Sequence, residues 1–320
     1  MFAFEISDYG ETPRLVEKPK PVPKPDQISV RIHATGVNFS DLLMIQGKYQ
    51  ERPCPPVTLG MELSGVVDSI GDAVTEFTVG DRVAVYSGHG GMAEFGCFDS
   101  NRAVKLPDSM PFDEAAGFLI AHGTSHLALT RRARLQAHET LLVLGASGGV
   151  GLTAVEIGKS LGATVIACAR GRDKLAVAKA AGADHLIDSE TQDIREAVKA
   201  LGGADVVYDA VGGDQFRTAL RCTNPEGRIL TIGFASGDIP QIPANHLLVK
   251  NVDVLGFNFG GYLKFNPHAL SDCFTELFAL YTGGKLNVHI SHRFPLNRAA
   301  DALDVLRQRK STGKIILTRT

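Results

Sequence analysis

The apolar positions of the chain follow two different rhythms. Over residues 1–120 they come in short runs broken by glycine and proline. Gln27-Ile-Ser-Val-Arg-Ile-His33 alternates with a period of two, and 63–70 and 82–86 are brief apolar stretches. Alternation of this kind predicts β-strands with one face buried. Glycines at 60, 65, 71, 80, 88, 90 and 91 punctuate them, as turns require. Pro21, Pro23 and Pro25 predict an extended connection between two early strands. From about residue 120 the rhythm changes. Continuous runs of Val, Ile and Leu at 140–146, 164–169, 185–188, 205–211, 227–233 and 252–257 predict strands, with helices near 149–161, 172–181, 191–201 and 214–221 between the first five. Fully apolar strands separated by helices imply a parallel sheet covered on both faces, and six of them make a dinucleotide-binding domain. The connection from the fifth strand to the sixth is longer and less helical. Beyond 257 the pattern predicts helices near 268–282 and 298–309 and a last strand at 314–318 that returns to the first domain. The expected division is 1–120 with 258–320 in one domain and 121–257 in the other.

The first strand of the second half runs into Gly145-Ala-Ser147-Gly148-Gly149-Val150-Gly151 and then a helix. A strand, a glycine turn and a helix N-terminus present unpaired N–H groups and the positive end of a dipole to a phosphate. Gly148 admits the backbone of the turn to a pyrophosphate, and Gly151 lets the helix pack on the strand. The first glycine of the usual G-x-G-x-x-G is Ala146 here. The hexamer gains weight from the strands and helices that follow it.

The end of the second strand separates NAD from NADP, because an acid there bonds the ribose 2′-hydroxyl. This strand ends in Ala169 and is followed by Arg170-Gly-Arg172-Asp173-Lys174. The acid is missing from the strand end, and Arg170, Arg172 and Lys174 favour a 2′-phosphate through charge-assisted hydrogen bonds. Asp173 suits the start of the next helix. NADPH is therefore the expected cofactor.

Composition narrows the partners. With 33 basic and 35 acidic side chains the formal net charge is -2, which argues against nucleic acid or an anionic membrane. The basic group Arg131, Arg132 and Arg134 reads as a solvated turn. No window has the long uncharged apolar run of a membrane helix, and the first residues carry no signal-peptide pattern. Five widely spaced cysteines, at 54, 97, 168, 222 and 273, suggest reduced thiols and a cytoplasmic location. The ten histidines show no metal-ligand spacing.

Several motifs in order carry a family likeness. They are Gly36-Val-Asn38-Phe-Ser-Asp41, Gln46-Gly47-Lys48-Tyr49, Gly60-Met-Glu62-Leu-Ser-Gly65, Gly80-Asp81-Arg-Val, Ala146-Ser-Gly148-Gly149-Val-Gly151, Lys174-Leu, Gly182-Ala-Asp184, Asp209-Ala-Val211-Gly212-Gly213 and Gly313-Lys314-Ile. The chain resembles the medium-chain dehydrogenase/reductase superfamily over nearly its whole length, and within it the zinc-independent NADPH:quinone oxidoreductases and their relatives. The resemblance implies an α/β architecture: a β-rich GroES-like catalytic domain and a six-stranded doubly wound Rossmann domain. Zinc-dependent members carry a cysteine near position 38 and a histidine just before the glutamate at 62, whereas this chain has Asn38 and Met61. Their structural-zinc lobe needs four closely spaced cysteines, and this chain has none. Metal-assisted alcohol oxidation is therefore not expected. Many quinone reductases also place a tyrosine after the third strand, where this chain has Ser189.

Without a metal, the hydride acceptor must already be electron-poor, such as a quinone or an α,β-unsaturated carbonyl. By resemblance, Asn38 and Tyr49 are the candidates for hydrogen-bonding the acceptor oxygen, and Tyr49 is also a candidate proton donor to carbon. Asn38 could instead bond loop backbone, and Tyr49 could be a wall residue. Asp41 reads first as a capping residue and second as a group that orients Tyr49. Thr124 matches a position near the nicotinamide. Val211, Gly233, Phe234 and Phe257 stand at strand ends, where open parallel sheets bind ligands. Two other readings stay open. One is an enoyl-thioester reductase with Tyr49 as its acid. The other is a non-enzymatic NADPH sensor or structural protein. Relatives often form homodimers across the last strand of the nucleotide sheet, and 252–257 is an apolar edge.

Overall fold

The computed structural model describes residues 1–319 and divides into two compact units. One is Met1–Ile120 together with the chain from Val288 onward; the other is Ala121–Asn287.

The second unit holds six parallel strands, Thr140–Leu144, Thr164–Ala169, His185–Asp188, Ala204–Asp209, Thr223–Thr231 and Asp253–Gly256. Their order in the sheet is third, second, first, fourth, fifth, sixth. This is the doubly wound arrangement, with the order reversing between the first and fourth strands. Successive side chains of a strand point to opposite faces. Leu142 and Leu144 accordingly pack in a core with Ile166, Phe216 and Leu220. On the other face the helix Gly149–Ser160 comes so close that a Cβ at Gly158 would lie 2.6 Å from Leu141. The fifth-to-sixth connection contains a short helix, Ala244–Lys250, with no buried side chain. That is why no amphipathic pattern announced it.

The domain boundary expected at 258 is corrected to Val288. The helix Pro267–Thr282 buries Cys273, Phe274 and Leu277. The rings of Phe274 and Phe259 meet edge-on at 6.2 Å over Gly123, where any Cβ would lie 2.6 Å from Phe259. Residues 258–287 thus complete the core of the nucleotide-type unit.

The first unit is β-rich. Its larger sheet runs Ile290–Pro295, Lys314–Thr318, Gln27–Val37, Glu62–Ile70, Arg82–Tyr86, Ala103–Lys105, with Phe95–Asp99 also paired to Gln27–Val37. The terminal strand returns as expected: it pairs antiparallel with Gln27–Val37, setting Ile315 opposite Val37 and Ile316 opposite Gly36. Ile290–Pro295 was not legible in the sequence, since its residues are all half-buried or exposed and form no apolar run. A small second sheet joins Arg14–Glu17, Phe2–Ile6 and Val57–Thr58. The proline connection at 21–25 lies between strands, as read.

Candidate active site

In the β-rich unit, the polar candidates gather where Gln27–Val37 ends and a short helix, Phe39–Ile45, begins. Asp41 lies in the first turn of that helix. Its Oδ2 accepts the Asn38 N–H at 2.8 Å and its Oδ1 accepts the Gly60 N–H at 3.1 Å. These bonds satisfy two backbone donors that the turn would otherwise leave unpaired. Asp41 is fully buried, and its reading as a capping residue describes this geometry.

Asn38 sits at the centre of a buried network. Its Nδ2 donates to Gly36 O at 3.2 Å and to Glu62 Oε1 at 3.0 Å. Its Oδ1 accepts from Lys314 Nζ at 2.7 Å. Lys314 Nζ also donates to Glu62 Oε1 at 2.7 Å and to Val37 O at 3.3 Å. Glu62 Oε2 accepts the Ile120 N–H at 3.0 Å. The side chains of Lys314 and Glu62 are 5% and 1% exposed, so a full ion pair stands inside the unit with every partner supplied by the chain. Gly36 makes room for it, since a Cβ there would lie 2.7 Å from Glu62 Oε1. The sequence left Asn38 two roles, donating its amide to a substrate carbonyl or bonding loop backbone; in the structure the amide bonds Gly36 O and the Glu62 carboxylate. Glu62 and Lys314 were noted only as family motif positions. They are 252 residues apart, and only the register of the terminal strand on Gln27–Val37 brings them together.

Burial pushes the Asp41 carboxyl up to about 7, against the opposing pull of the Asn38 and Gly60 N–H groups and the Lys314 ammonium. In an unfolded chain an aspartate ionises near about 3.9. Between these values the folded state holds the proton and the unfolded state has lost it. The Asp41 contribution to stability is therefore present below about pH 4 and is lost as pH rises to about 7. Thermal melts across that window should show a falling component that Asp41→Asn removes. An unchanged slope in the variant would contradict it.

Tyr49 is half-buried beside this network and packs on the same core as Met44, Leu59 and Met61. Burial raises its phenol to about 12, Glu51 and Asp41 add to the rise, and a side-chain hydrogen bond with Tyr86 opposes it. Tyr86, at the end of Arg82–Tyr86, was not singled out by the sequence. It stands opposite Glu62 in the sheet ladder.

In the second unit the glycine turn has the expected geometry. Gly145 takes φ +70° and provides the tight bend that Ala146 does not. A Cβ at Gly151 would lie 2.2 Å from Gly145 O, which explains why only glycine lets the helix start there. Beside Gly148 the space is open: an added Cβ would meet nothing closer than Gly145 O at 3.5 Å. No side chain caps the helix Gly149–Ser160, and Gly148, Gly149 and Val150 are only half-buried. The first N–H donors of a twelve-residue helix are thus left for an anion. A pyrophosphate fits this cradle, while Ser147 is buried behind it.

Around the turn, Val211 approaches within 3.0 Å of the position a Gly145 Cβ would take, and Phe234 stands at the same distance from that of Gly212. Asp209 shapes this edge by accepting the Val211 and Gly212 N–H groups at 2.8 and 2.9 Å. Gly233 follows the strand Thr223–Thr231, its N–H bonded to Asp209 O at 3.3 Å. Phe257 lies further off, its ring 5.8 Å from that of Tyr262. Thr124 is buried on the helix Leu119–Leu127. Its neighbour Ser125, which the sequence did not reveal, bonds Val150 O at 2.9 Å, Thr153 Oγ1 at 2.8 Å and the Tyr208 hydroxyl at 2.9 Å. This buried network ties the helix carrying Thr124 to the start of the glycine-turn helix.

After the second strand, Arg170 and Arg172 are exposed and have no side-chain partner among the described residues, and Lys174 is half-buried. Asp188 accepts the Gly171 and Glu190 N–H groups, each at 3.0 Å. This acid holds the turn that carries the two arginines.

These features define a two-unit dehydrogenase fold with a phosphate cradle and a buried polar network, and comparison with known proteins agrees. Residues 24–108 match the alcohol dehydrogenase GroES-like domain, and 149–278 match the zinc-binding dehydrogenase family. Quinone oxidoreductase-like protein 2 homolog of Nematostella vectensis is 40% identical over 297 residues, covering 91% of this chain and 81% of that protein. The human synaptic vesicle membrane protein VAT-1 homolog is 32% identical over 315 residues, covering 93% and 80%. Among solved structures, Pseudomonas syringae quinone oxidoreductase superposes with a TM-score of 0.92 at 35% identity over 99% of both chains. The Escherichia coli quinone oxidoreductase, crystallised with NADPH, gives 0.93 at 29% identity over 99% of this chain and 100% of that one. The chain belongs to the medium-chain dehydrogenase/reductase superfamily, in its quinone oxidoreductase-like branch.

Proposed function

We propose that the protein is a zinc-independent, NADPH-dependent reductase that delivers a hydride to a quinone or a reactive α,β-unsaturated carbonyl. The observation that supports this most is the Asn38–Glu62–Lys314 network. Where zinc-dependent relatives carry metal ligands, this chain has Asn38 and Met61, and Asn38 is bonded to a buried ammonium. No group of three or more His, Cys, Asp or Glu among the described residues could hold a metal ion. The acceptor must then be electron-poor on its own.

NADPH, when bound, supplies the hydride. The uncapped donors at Gly149, Val150 and Gly151 would hold its pyrophosphate, while Gly148, whose own N–H bonds Gly145 O at 3.0 Å, leaves room for it. Arg170 and Lys174 take the 2′-phosphate, and Thr124, Ser147, Val211, Gly233, Phe234 and Phe257 line the remainder. On the acceptor side, Tyr49 donates a hydrogen bond to the carbonyl of a quinone or a proton to the α-carbon of an enone. Asn38 and Asp41 fix the start of the helix Phe39–Ile45, which precedes Tyr49 in the chain. The hydride goes to the β-carbon of the enone and the π pair moves to form an enolate. The Tyr49 O–H bond breaks as the α-carbon takes its proton, and water restores the phenol.

A homodimer belongs to the same proposal. Asp253–Gly256 is the outermost strand of its sheet, with Leu248 and Val249 strongly exposed on the preceding helix. The cysteines are all free, which suits a cytoplasmic setting.

Absorbance of NADPH over time, with a simple quinone, a small enone and a medium-chain enoyl-CoA, tests the reading. Turnover of the quinone or enone is expected. Turnover of the enoyl-CoA alone would move the assignment to enoyl-thioester reduction, and tight NADPH binding without any turnover would favour a sensor. In the same assay Arg170→Ser should weaken NADPH about tenfold, the worth of one exposed charge-assisted bond, and change NADH less than threefold. Equal weakening of both cofactors would remove Arg170 from the 2′-phosphate site.

A further inference from the structure

Three hydroxyl groups stand in the interior of the second unit, and the reaction described above gives none of them a task. Ser125 and Tyr208 are 0% exposed and Thr153 is 5% exposed. Tyr208 lies on the strand Ala204–Asp209 and Thr153 on the helix Gly149–Ser160. A buried hydroxyl costs free energy unless a hydrogen bond replaces the water it has lost. Each of the three must therefore find its partner within the chain.

The distances set the direction of the network. Tyr208 carries a single hydroxyl hydrogen. Among the described residues its one hydrogen-bond partner is Ser125 Oγ, at 2.9 Å, so Tyr208 donates to Ser125. Ser125 passes its own hydrogen to Val150 O at 2.9 Å. Thr153 Oγ1 lies 2.8 Å from Ser125 Oγ and 3.0 Å from both Val150 O and Ala121 O. The chain of hydroxyls runs from Tyr208 through Ser125 and ends on a backbone carbonyl.

That carbonyl has a particular place. Val150 is in the first turn of the helix that follows the glycine turn, and its C=O shares one peptide unit with the Gly151 N–H. Leu152 gives its N–H to Gly148 O at 2.8 Å, but the N–H groups of Gly149, Val150 and Gly151 have no acceptor among the described residues. Gly151 is itself buried. A buried N–H without an acceptor is costly, and a phosphate at the turn supplies one. A hydrogen bond accepted by a peptide oxygen polarises the N–H of the same unit, and hydrogen bonds in series strengthen one another. The bond also fixes the plane of that peptide. Alanine and phenylalanine would fill nearly the same space as Ser125 and Tyr208. What the hydroxyls add is a donor on Val150 O.

We propose that Ser125 is a positioning residue for the cofactor pyrophosphate: by donating to Val150 O it fixes the Val150–Gly151 peptide and makes the Gly151 N–H a stronger donor to the phosphate. This rests on the reading of the glycine turn as the pyrophosphate cradle. Ser125 acts through the peptide, so it serves a dinucleotide with or without a 2′-phosphate.

Equilibrium binding to the whole chain tests this without turnover. Ser125→Ala should weaken NADPH, NADH and ADP-ribose alike by about fivefold, the fold-change of roughly one net hydrogen bond. Adenosine 2′-monophosphate, which has no pyrophosphate, should bind as before. Equal weakening of that ligand would mean general loosening of the unit and would overturn the proposal. In the cofactor-free protein the 15N resonance of Gly151 should move upfield in Ser125→Ala, since its peptide oxygen has lost a donor; an unmoved resonance overturns the proposal. Gly148→Val separates the inference from the reading beneath it, because its side chain enters the open space beside the turn, where a Cβ meets nothing closer than Gly145 O at 3.5 Å. ADP-ribose bound as well by Gly148→Val as by the parent chain would overturn the cradle and this inference with it. Weakened binding in Gly148→Val beside unchanged binding in Ser125→Ala overturns the inference only. Should Ser125→Ala fail to fold, as judged by circular dichroism, Ser125→Cys keeps the shape with a much weaker donor. The same selective weakening is expected of it, and unchanged ADP-ribose affinity overturns the proposal.

Discussion

Replacing Tyr49 by Phe is expected to lower the rate constant for enone reduction by about a hundredfold or more, the usual worth of a positioned general acid. Quinone reduction should lose less than tenfold. The difference follows from where the protons go. An enolate must be protonated on carbon, which is slow without an acid held in place, whereas the oxygens of a reduced quinone are protonated by water. The Tyr49 phenol suits this work because burial keeps it protonated, at about 12, throughout the assayable range. Parallel measurement of kcat with a small enone and a simple quinone decides the matter. An unchanged enone rate would remove the phenol from the chemistry and leave it as part of the wall.

The second large effect concerns stability. Lys314→Met should destabilise the β-rich unit by about 3–5 kcal/mol, because it leaves the Glu62 carboxylate buried and unpaired. The melting temperature should fall by roughly 10 °C. Changing Glu62 to Gln in the same chain removes the stranded charge and should recover much of the loss. The pair lies in the β-rich unit, and the glycine turn lies in the other. NADPH affinity should accordingly survive both changes at temperatures where the unit is folded. Far-ultraviolet circular dichroism follows the transition, as the chain has no tryptophan for fluorescence. A melting temperature unchanged in Lys314→Met would mean that water reaches Glu62.

The parallel sheet was legible because its strands are buried on both faces and read as continuous apolar runs, and each predicted strand from 140 to 256 has its counterpart. The glycine turn was legible for a similar reason. Its geometry is local, so Gly145, Gly148 and Gly151 carry their purposes in six or seven consecutive residues. The strand Ile290–Pro295 gave no signal, being only partly buried. The domain boundary near 258 was misplaced because nothing local distinguishes a helix that completes one core from a helix that begins another.

The acceptor side was harder to read. Asn38, Asp41 and Tyr49 were chosen by family likeness, and the sequence could state what each can donate or accept. It could not state which of those capacities the chain itself consumes. Asn38 shows the consequence: its amide is spent on Gly36 and Glu62, and its carbonyl on Lys314. Glu62 and Lys314 converge on that turn from two different strands, each paired with Gln27–Val37. By itself, then, the sequence determined the two-unit α/β architecture, the phosphate cradle and its basic flank, since each rests on periodicity or on neighbours in the chain. Tertiary structure alone decided which polar groups are satisfied and which charge is buried. Hydrogen bonds and ion pairs are settled by distances of about 3 Å, and those distances are set by strand register across hundreds of residues.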